Sequence, residues 1–352
     1  MRLAPSGHRF GNGRAMAREV WSMLRRHRRA VGLLGIAAAF VLVSAALIVW
    51  RPWPDSTSTG QPPPPSPSEA STATRATTSA AASEPGSVLI GAGDICRTSG
   101  IANARKTAAL VTASSTARVF TLGDNSNEEG TAGQYAGCYD PTWGAFKTRT
   151  RPAPGNHDQL TRHGTPYYAY FGAAAGTAGK GYYSYDLPAN WHVIVLNSIC
   201  GEVGGCGARS PQERWLEEDL AANAGKHILA MWHIPEFSSG GHGNTTSYRA
   251  WWNDLYAAQA DIVLNGHDHD YERFAQQSPT GDADPMGIRE FVVGTGGASH
   301  SPFLTIRDNS QVRNSRTFGV LELTLSLHSY GWQFVPIEGS AFTDSGETAT
   351  HS

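Results

Sequence analysis

Nine side chains carry most of the chemistry this sequence can offer. Asp94, Asp124, Asn125, Asn156, His157, Asp158, His233, His267 and His269 each stand where a short apolar run ends. Each alone has an ordinary explanation. A Gly-Asp after a strand is usually a turn, and a lone His is usually a hydrogen-bonded core or surface group. Together they gather carboxylates, side-chain amides and imidazoles at strand ends. These are hard and borderline donors, suited to Mn, Fe or Zn, whereas structural zinc would favour Cys. The chemistry of such a set is that of a catalytic metal site.

The elements that must position these side chains are visible in the hydrophobic pattern. The runs SVLIGAGD (87–94), ARVFTLGD (117–124), RPAPGNHD (151–158), WHVIVLNS (191–198), HILAMWH (227–233) and DIVLNGHDH (261–269) read as buried strands ending in polar loops. Helical spacing appears in AALVTASS (108–115), PQERWLEEDLAA (211–222) and YRAWWNDLYAAQ (248–259). The later runs REFVVGTGG (289–297) and FGVLELTLSL (318–327) alternate only in part and read as antiparallel or mixed. Strands alternating with helices predict an α/β fold, a four-layer α/β/β/α sandwich with two mixed central β-sheets. In such sheets ligands bind beyond the carboxyl ends of the strands, where the nine residues fall.

The 352 residues divide by composition. Residues 1–30 hold eight Arg and one Glu, a basic cytoplasmic segment. The rest of the chain holds 20 bases against 29 acids, so no nucleic-acid-binding surface is expected. Residues 31–50 carry no charge and are long enough, at 1.5 Å per residue, to cross a bilayer core of about 30 Å. Arg25, Arg26, Arg28 and Arg29 precede them and only Arg51 follows directly, which predicts an uncleaved signal anchor with the body outside. The alternative is a signal peptide, cleaved to release a secreted body. Residues 51–86, rich in Ser, Thr, Ala and Pro, read as a disordered linker. The catalytic body is expected over 87–340, and 341–352 as a disordered tail.

In order along the chain, Gly93–Asp94, Gly123–Asn125, GNHD (155–158), the single His233 and GHDH (266–269) resemble the motifs of the calcineurin-like metallophosphoesterases. The run GHDHDYER (266–273) is most similar to the purple acid phosphatase branch and its bacterial relatives. The resemblance covers the whole body but not the first ninety residues. It implies two metal ions (Fe, Mn or Zn) bridged by Asp124, with Asp94 and His269 on the first and Asn156, His233 and His267 on the second. It further implies that a metal-bound hydroxide attacks a phosphate ester. His157 would face the leaving oxygen or stabilise the transition state, Asp158 would orient His157, and His242, nine positions after His233, would contact substrate. Tyr271, Glu272 and Arg273 are expected to fix the loop through an ion pair and packing.

Two positions depart from the family pattern. Many members place a His two residues after the first Asp, where Cys96 stands. The purple branch places a Tyr three residues after the bridging Asp, where Asn127 stands. Either the first site is more water-filled or Asn127 lends its amide oxygen, and no purple colour is expected unless Tyr135 or Tyr139 swings in. Cys96 could bind metal as a thiolate. In an exported body pairing is favoured, Cys200 with Cys206 and Cys96 with Cys138. The two bridges would be worth about 2.4 and about 4 kcal/mol in chain entropy.

These features predict an exported, membrane-anchored phosphomonoesterase. A phosphodiesterase or nucleotidase with the same site is the enzymatic alternative. A non-catalytic surface-binding protein that keeps the fold is the rival from another class.

Overall fold

The computed structural model describes residues 86–351. The basic segment, the expected anchor at 31–50 and all but the last residue of the linker lie outside them. Among the described residues no helix is long and apolar enough to cross a membrane.

Thirteen strands form two mixed sheets among the described residues. They are β1 (Ser87–Ala92), β2 (Arg118–Leu122), β3 (Thr150–Ala153), β4 (Tyr183–Leu187), β5 (Trp191–Val195), β6 (His227–Met231), β7 (Ile262–Asn265), β8 (Tyr271–Phe274), β9 (Arg289–Val293), β10 (Ser310–Asn314), β11 (Gly319–Leu325), β12 (Ser329–Pro336) and β13 (Asp344–Ala349). The six-stranded sheet runs β13-β12-β11-β1-β2-β3 and the seven-stranded sheet β10-β8-β9-β7-β6-β5-β4. In the six-stranded sheet β1-β2-β3 form a parallel half that ends at the β3 edge, with antiparallel strands on the other side; in the seven-stranded sheet β5-β6-β7-β9 form a parallel centre with antiparallel strands toward both edges.

Alternation along the central strands explains the layers. Val193 and Val195, Leu229 and Met231, and Ile262 and Leu264 join the core shared with the six-stranded sheet. Their neighbours Ile194, Ala230 and Val263 point the other way, against Leu216 and Leu220 of the helix Pro211–Ala222 and Trp251, Trp252 and Leu255 of the helix Arg249–Ala257. Strands buried on both faces read as continuous apolar runs, as these do. Each such side chain removed from water contributes about 1.5–3 kcal/mol. The helix Ile101–Ala113 packs on β11 and turns Ala104, Ala108 and Val111 into the first core. The expected four-layer α/β/β/α arrangement is what forms.

The expectation of a disordered tail at 341–352 is overturned. β13 closes the edge of the six-stranded sheet, in register with β12. Its sequence, DSGETA, has no apolar period, because an edge strand is held by its backbone ladder. One buried carboxylate anchors it: Asp344 accepts from Tyr271 Oη and Arg273 Nε, both at 2.7 Å. The tyrosine and arginine of GHDHDYER therefore clamp the C-terminal strand: the ion pair expected to fix the loop instead joins Arg273 to Asp344 of β13. Glu272 is buried and accepts from the backbone N–H of Ser239 at 2.8 Å.

Both disulfides form, Cys96–Cys138 and Cys200–Cys206. Cys96 is thereby removed as a thiolate ligand.

Candidate metal centre

The parallel strands of the two sheets aim their carboxyl ends at one place. Asp94 and Asp124 stand two residues beyond β1 and β2, and Asn156 three beyond β3. His233 and His267 stand two residues beyond β6 and β7 of the facing sheet. At three of these exits a non-glycine residue holds a left-handed backbone, with φ of 56° at Asp94, 47° at Asp124 and 71° at His267. Such conformations cost on the order of 1–3 kcal/mol each and persist where surrounding bonds over-determine them. Here the bonds run between loops: Asp94 N–H donates to the Gly123 carbonyl at 3.0 Å, Ile95 N–H to Asp124 at 3.1 Å and Gly266 N–H to His233 at 2.9 Å. Crowding explains two of the motif glycines. A Cβ on Gly155 would lie 2.1 Å from the Asp124 nitrogen and Oδ1, and one on Gly123 2.6 Å from His233 Nδ1.

The predicted ligand residues converge as two groups sharing Asp124. In one, His233 Nε2 lies 3.0 Å from Asn156 Oδ1, 3.2 Å from His267 Nδ1 and 3.3 Å from Asp124 Oδ2. In the other, His269 Nε2 lies 3.1 Å from Asp94 Oδ1. Asn127 Nδ2 reaches Asp94 Oδ1 at 3.1 Å and Asp124 Oδ2 at 3.2 Å. Asp94, Asp124 and His233 are all buried, with ligand atoms within 4.8 Å of one another. Outer partners orient the rings. His233 Nδ1 pairs with the Leu122 carbonyl at 2.7 Å and His269 Nδ1 with Ser299 Oγ at 2.6 Å, so each turns Nε2 inward.

This donor set fits a pair of cations. Among the described residues neither carboxylate meets an Arg or Lys at ion-pair distance, only imidazoles. Burial alone would raise the Asp124 carboxyl, but His233 and His157 outweigh it and bring it to about 2. Burial opposes charge on His233 too, yet Asp124 and Asp94 push it up to about 9. The carboxylates therefore demand a positive charge beside them, which an imidazolium proton or a cation supplies. Burial, then the charges of His233 and His242, lower His267 to about 3, leaving a neutral ring.

His157 lies at the rim, its side chain 35 % exposed and its Nε2 3.8 Å from Asp124 Oδ2. Its backbone N–H donates to Asp124 Oδ1 at 2.8 Å, and its Nδ1 pairs with the Glu128 carbonyl. The expectation that Asp158 orients His157 is therefore overturned. Asp158 is the third residue of the helix that starts at Asn156, and a carboxylate there turns back to the free N–H groups at the helix start. It accepts from Gly155 N–H at 2.9 Å, from Asn125 Nδ2 at 2.9 Å and from Tyr135 Oη at 2.5 Å. Asp158 and Asn125 thus brace the Asp124 loop from behind. Tyr135 and Tyr139 are buried in an aromatic cluster with Tyr170 and Phe171, and neither hydroxyl is bonded to the donor groups.

His242 is half-exposed beside the centre, its ring 4.1 Å from that of His267. The sequence reading missed what holds it there, which is Asp268. The signal was present, a polar residue between two inward-facing histidines, since alternate residues turn to opposite sides.

The family model for calcineurin-like phosphoesterases matches residues 89–271, more than half of the chain. Purple acid phosphatase 22 of Arabidopsis thaliana is 27 % identical over 187 residues, 46 % of this chain and 42 % of that protein. Purple acid phosphatase 15 of the same plant is 30 % identical over 178 residues, 44 % of this chain and 32 % of that protein. The chain thus spans less than half the length of these relatives. Among solved structures, a purple acid phosphatase from yellow lupin (Lupinus luteus) seeds superposes with a TM-score of 0.60 at 18 % identity, covering 75 % of this chain and 54 % of the other. GAP50, the anchor in the inner membrane complex of Plasmodium, superposes with a TM-score of 0.58 at 14 % identity, covering 76 % and 90 %. At these identities the superpositions show the fold alone.

Proposed function

Because the chain belongs to the calcineurin-like phosphoesterase family, we propose that it hydrolyses phosphate monoesters at a dinuclear metal centre. The observation that carries this reading is the convergence of Asp94, Asp124, Asn156, His233, His267 and His269 into two donor groups joined at Asp124. A surface-binding protein that merely kept the fold would have no need of six converging ligand side chains.

Asp94, Asp124 and His269 would hold one cation, and Asp124, Asn156, His233 and His267 the other. When bound, such a pair neutralises phosphoryl oxygens and lowers the pKa of a water. The chain's own residues do the rest. The Asp124 carboxylate lies between the two donor groups, its Oδ1 fixed by the His157 N–H. His157, with Nδ1 occupied by a carbonyl, offers Nε2 on the open side, where it can hand a proton to the leaving oxygen. Nε2 of His242 is the edge turned away from Asp268, free to meet a phosphoryl oxygen of the substrate.

The test is a metal-loaded protein assayed on an aryl phosphate monoester and the matching bis-aryl diester. Faster turnover of the monoester supports the reading. Faster turnover of the diester makes the protein a phosphodiesterase, and hydrolysis of neither supports the binding-protein rival.

We also propose that the body is exported and tethered by residues 31–50. The uncharged stretch, its Arg flank and the Pro-rich spacer support this, as do two disulfides, which persist in oxidising compartments. Alkaline extraction of membranes that released all of the uncleaved chain would contradict the anchor.

A further inference from the structure

We propose that the side-chain oxygen of Asn127 is the fourth protein ligand of the first cation, and that this neutral donor makes the centre one of two divalent ions. The inference rests on the dinuclear reading above and adds the residue and the charge class of metal.

The first donor group otherwise offers three protein ligands, Asp94, Asp124 and His269. Cys96, two residues after Asp94, is spent in a disulfide. The amide of Asn127 stands where a fourth ligand must be. Its terminal nitrogen is 3.1 Å from Asp94 Oδ1, 3.2 Å from Asp124 Oδ2 and 3.4 Å from His269 Nε2, touching an atom of all three other ligands at once. Nitrogen and oxygen of an amide exchange places by a half-turn about the last side-chain bond, with the carbon skeleton unmoved. Against carboxylates alone the N–H side is preferred; against a cation the oxygen side is.

The position is built rather than incidental. Asn127 is 3 % exposed. Its N–H donates to the Cys96 carbonyl at 2.7 Å, Cys96 pairs with Ser126 as a parallel bridge, and the Cys96–Cys138 disulfide ties the same loop down. The loop that carries Asp94 and the loop that carries Asn127 are therefore joined backbone to backbone.

Charge decides the metal class. A phenolate at this position would add a full negative charge and stabilise a trivalent ion. A neutral amide leaves the first cation one carboxylate of its own and a share of Asp124. Oxygen and imidazole donors with that little charge suit Mn²⁺, Zn²⁺ or Fe²⁺.

The test loads the full chain and its variants with Mn²⁺ after chelation and measures metal content and the affinity of the weaker site. The wild type should hold two ions per chain. Asn127→Leu should hold one, its weaker site losing about 100-fold or more, the upper end of the loss from an outer partner. Asn127→Asp, which keeps an oxygen but no N–H, should hold two. If Asn127 served only as a hydrogen-bond donor, Asn127→Asp would lose metal together with Asn127→Leu, and the inference fails. It also fails if Asn127→Leu binds two ions as tightly as the wild type. A wild type holding fewer than two ions sinks the dinuclear reading itself. Iron gives an independent readout: after loading with Fe²⁺ and exposure to O₂ as the oxidant, the wild type should lack a strong visible band and Asn127→Tyr, whose phenolate would stabilise the oxidised Fe³⁺, should gain one, even if Asn127→Leu proves unable to fold. A strong band in the wild type overturns the assignment.

Discussion

His242 and Asp268 form a hydrogen-bonded pair, with Nδ1 of the histidine 2.9 Å from Oδ1 of the aspartate. The His242 backbone N–H reaches the same oxygen at 2.9 Å. Ser238 donates to the other oxygen, so the carboxylate is fixed at both ends. The hydrogen bond to Asp268, working against partial burial, raises the His242 imidazole and favours its charged form. Asp268 thus sets the direction of the ring without touching the donor groups.

His242→Ala should raise KM for a phosphate monoester about 10- to 150-fold, the equivalent of a lost charge-assisted hydrogen bond of about 1.5–3 kcal/mol, while metal content stays at the wild-type value. Asp268→Asn should move KM in the same direction by less. Steady-state kinetics alongside elemental analysis check this; loss of metal from His242→Ala would mean the ring is itself a ligand.

His157→Ala should keep its metals and lose about 10²–10⁴ in kcat, the range for proton transfer by a side chain. Asp124→Asn should lose both metals and all turnover, since both donor groups use its carboxylate. Metal loss from His157→Ala would show that its place at the rim was misjudged.

Gly155→Ala should bind metal poorly. The added methyl would lie 2.1 Å from the Asp124 nitrogen and Oδ1, so the shared carboxylate must shift. Metal titration checks it, and wild-type affinity would contradict the crowding argument.

Removing the Cys96–Cys138 bridge by a double Ser substitution should cost about 2–5 kcal/mol of stability and weaken the first donor group. Opening Cys200–Cys206, which closes a far shorter loop away from the centre, should cost less and leave metal affinity unchanged. Chemical denaturation and metal titration separate the two effects.

His192 provides a pH signature. Its ring is buried between Asp219 at 2.9 Å and Asp186 at 2.6 Å. Burial disfavours its charge, yet the two carboxylates raise it above the ordinary 6.5. A raised folded value means the contribution is complete below about pH 6.5 and is lost as pH climbs through the folded value. The melting-temperature gap between the wild type and Asp219→Asn should therefore be widest near pH 6 and narrow toward pH 9. A gap that widened with pH would contradict this.

The parallel strands of both sheets were legible in the sequence because doubly buried strands are mostly apolar, as in Val193–Val195 of β5 and Ile262–Leu264 of β7. The edge strands β10 and β13 were not, because backbone pairing needs no apolar side chain. The candidate ligand residues were legible because they sit in motifs that follow strands. Their supports were harder to see. The Leu122 and Glu128 carbonyls that orient His233 and His157 are backbone atoms and leave no trace in side-chain type. Adjacency in sequence suggested that Asp158 serves His157, whereas helix geometry turns the two apart.

The most direct measurement is anomalous diffraction from a crystal of the Mn²⁺-loaded protein. The account expects two peaks about 3.5–4 Å apart, the spacing of two-metal sites, one on either side of the Asp124 carboxylate. A single peak, or peaks away from Asp124, would contradict it.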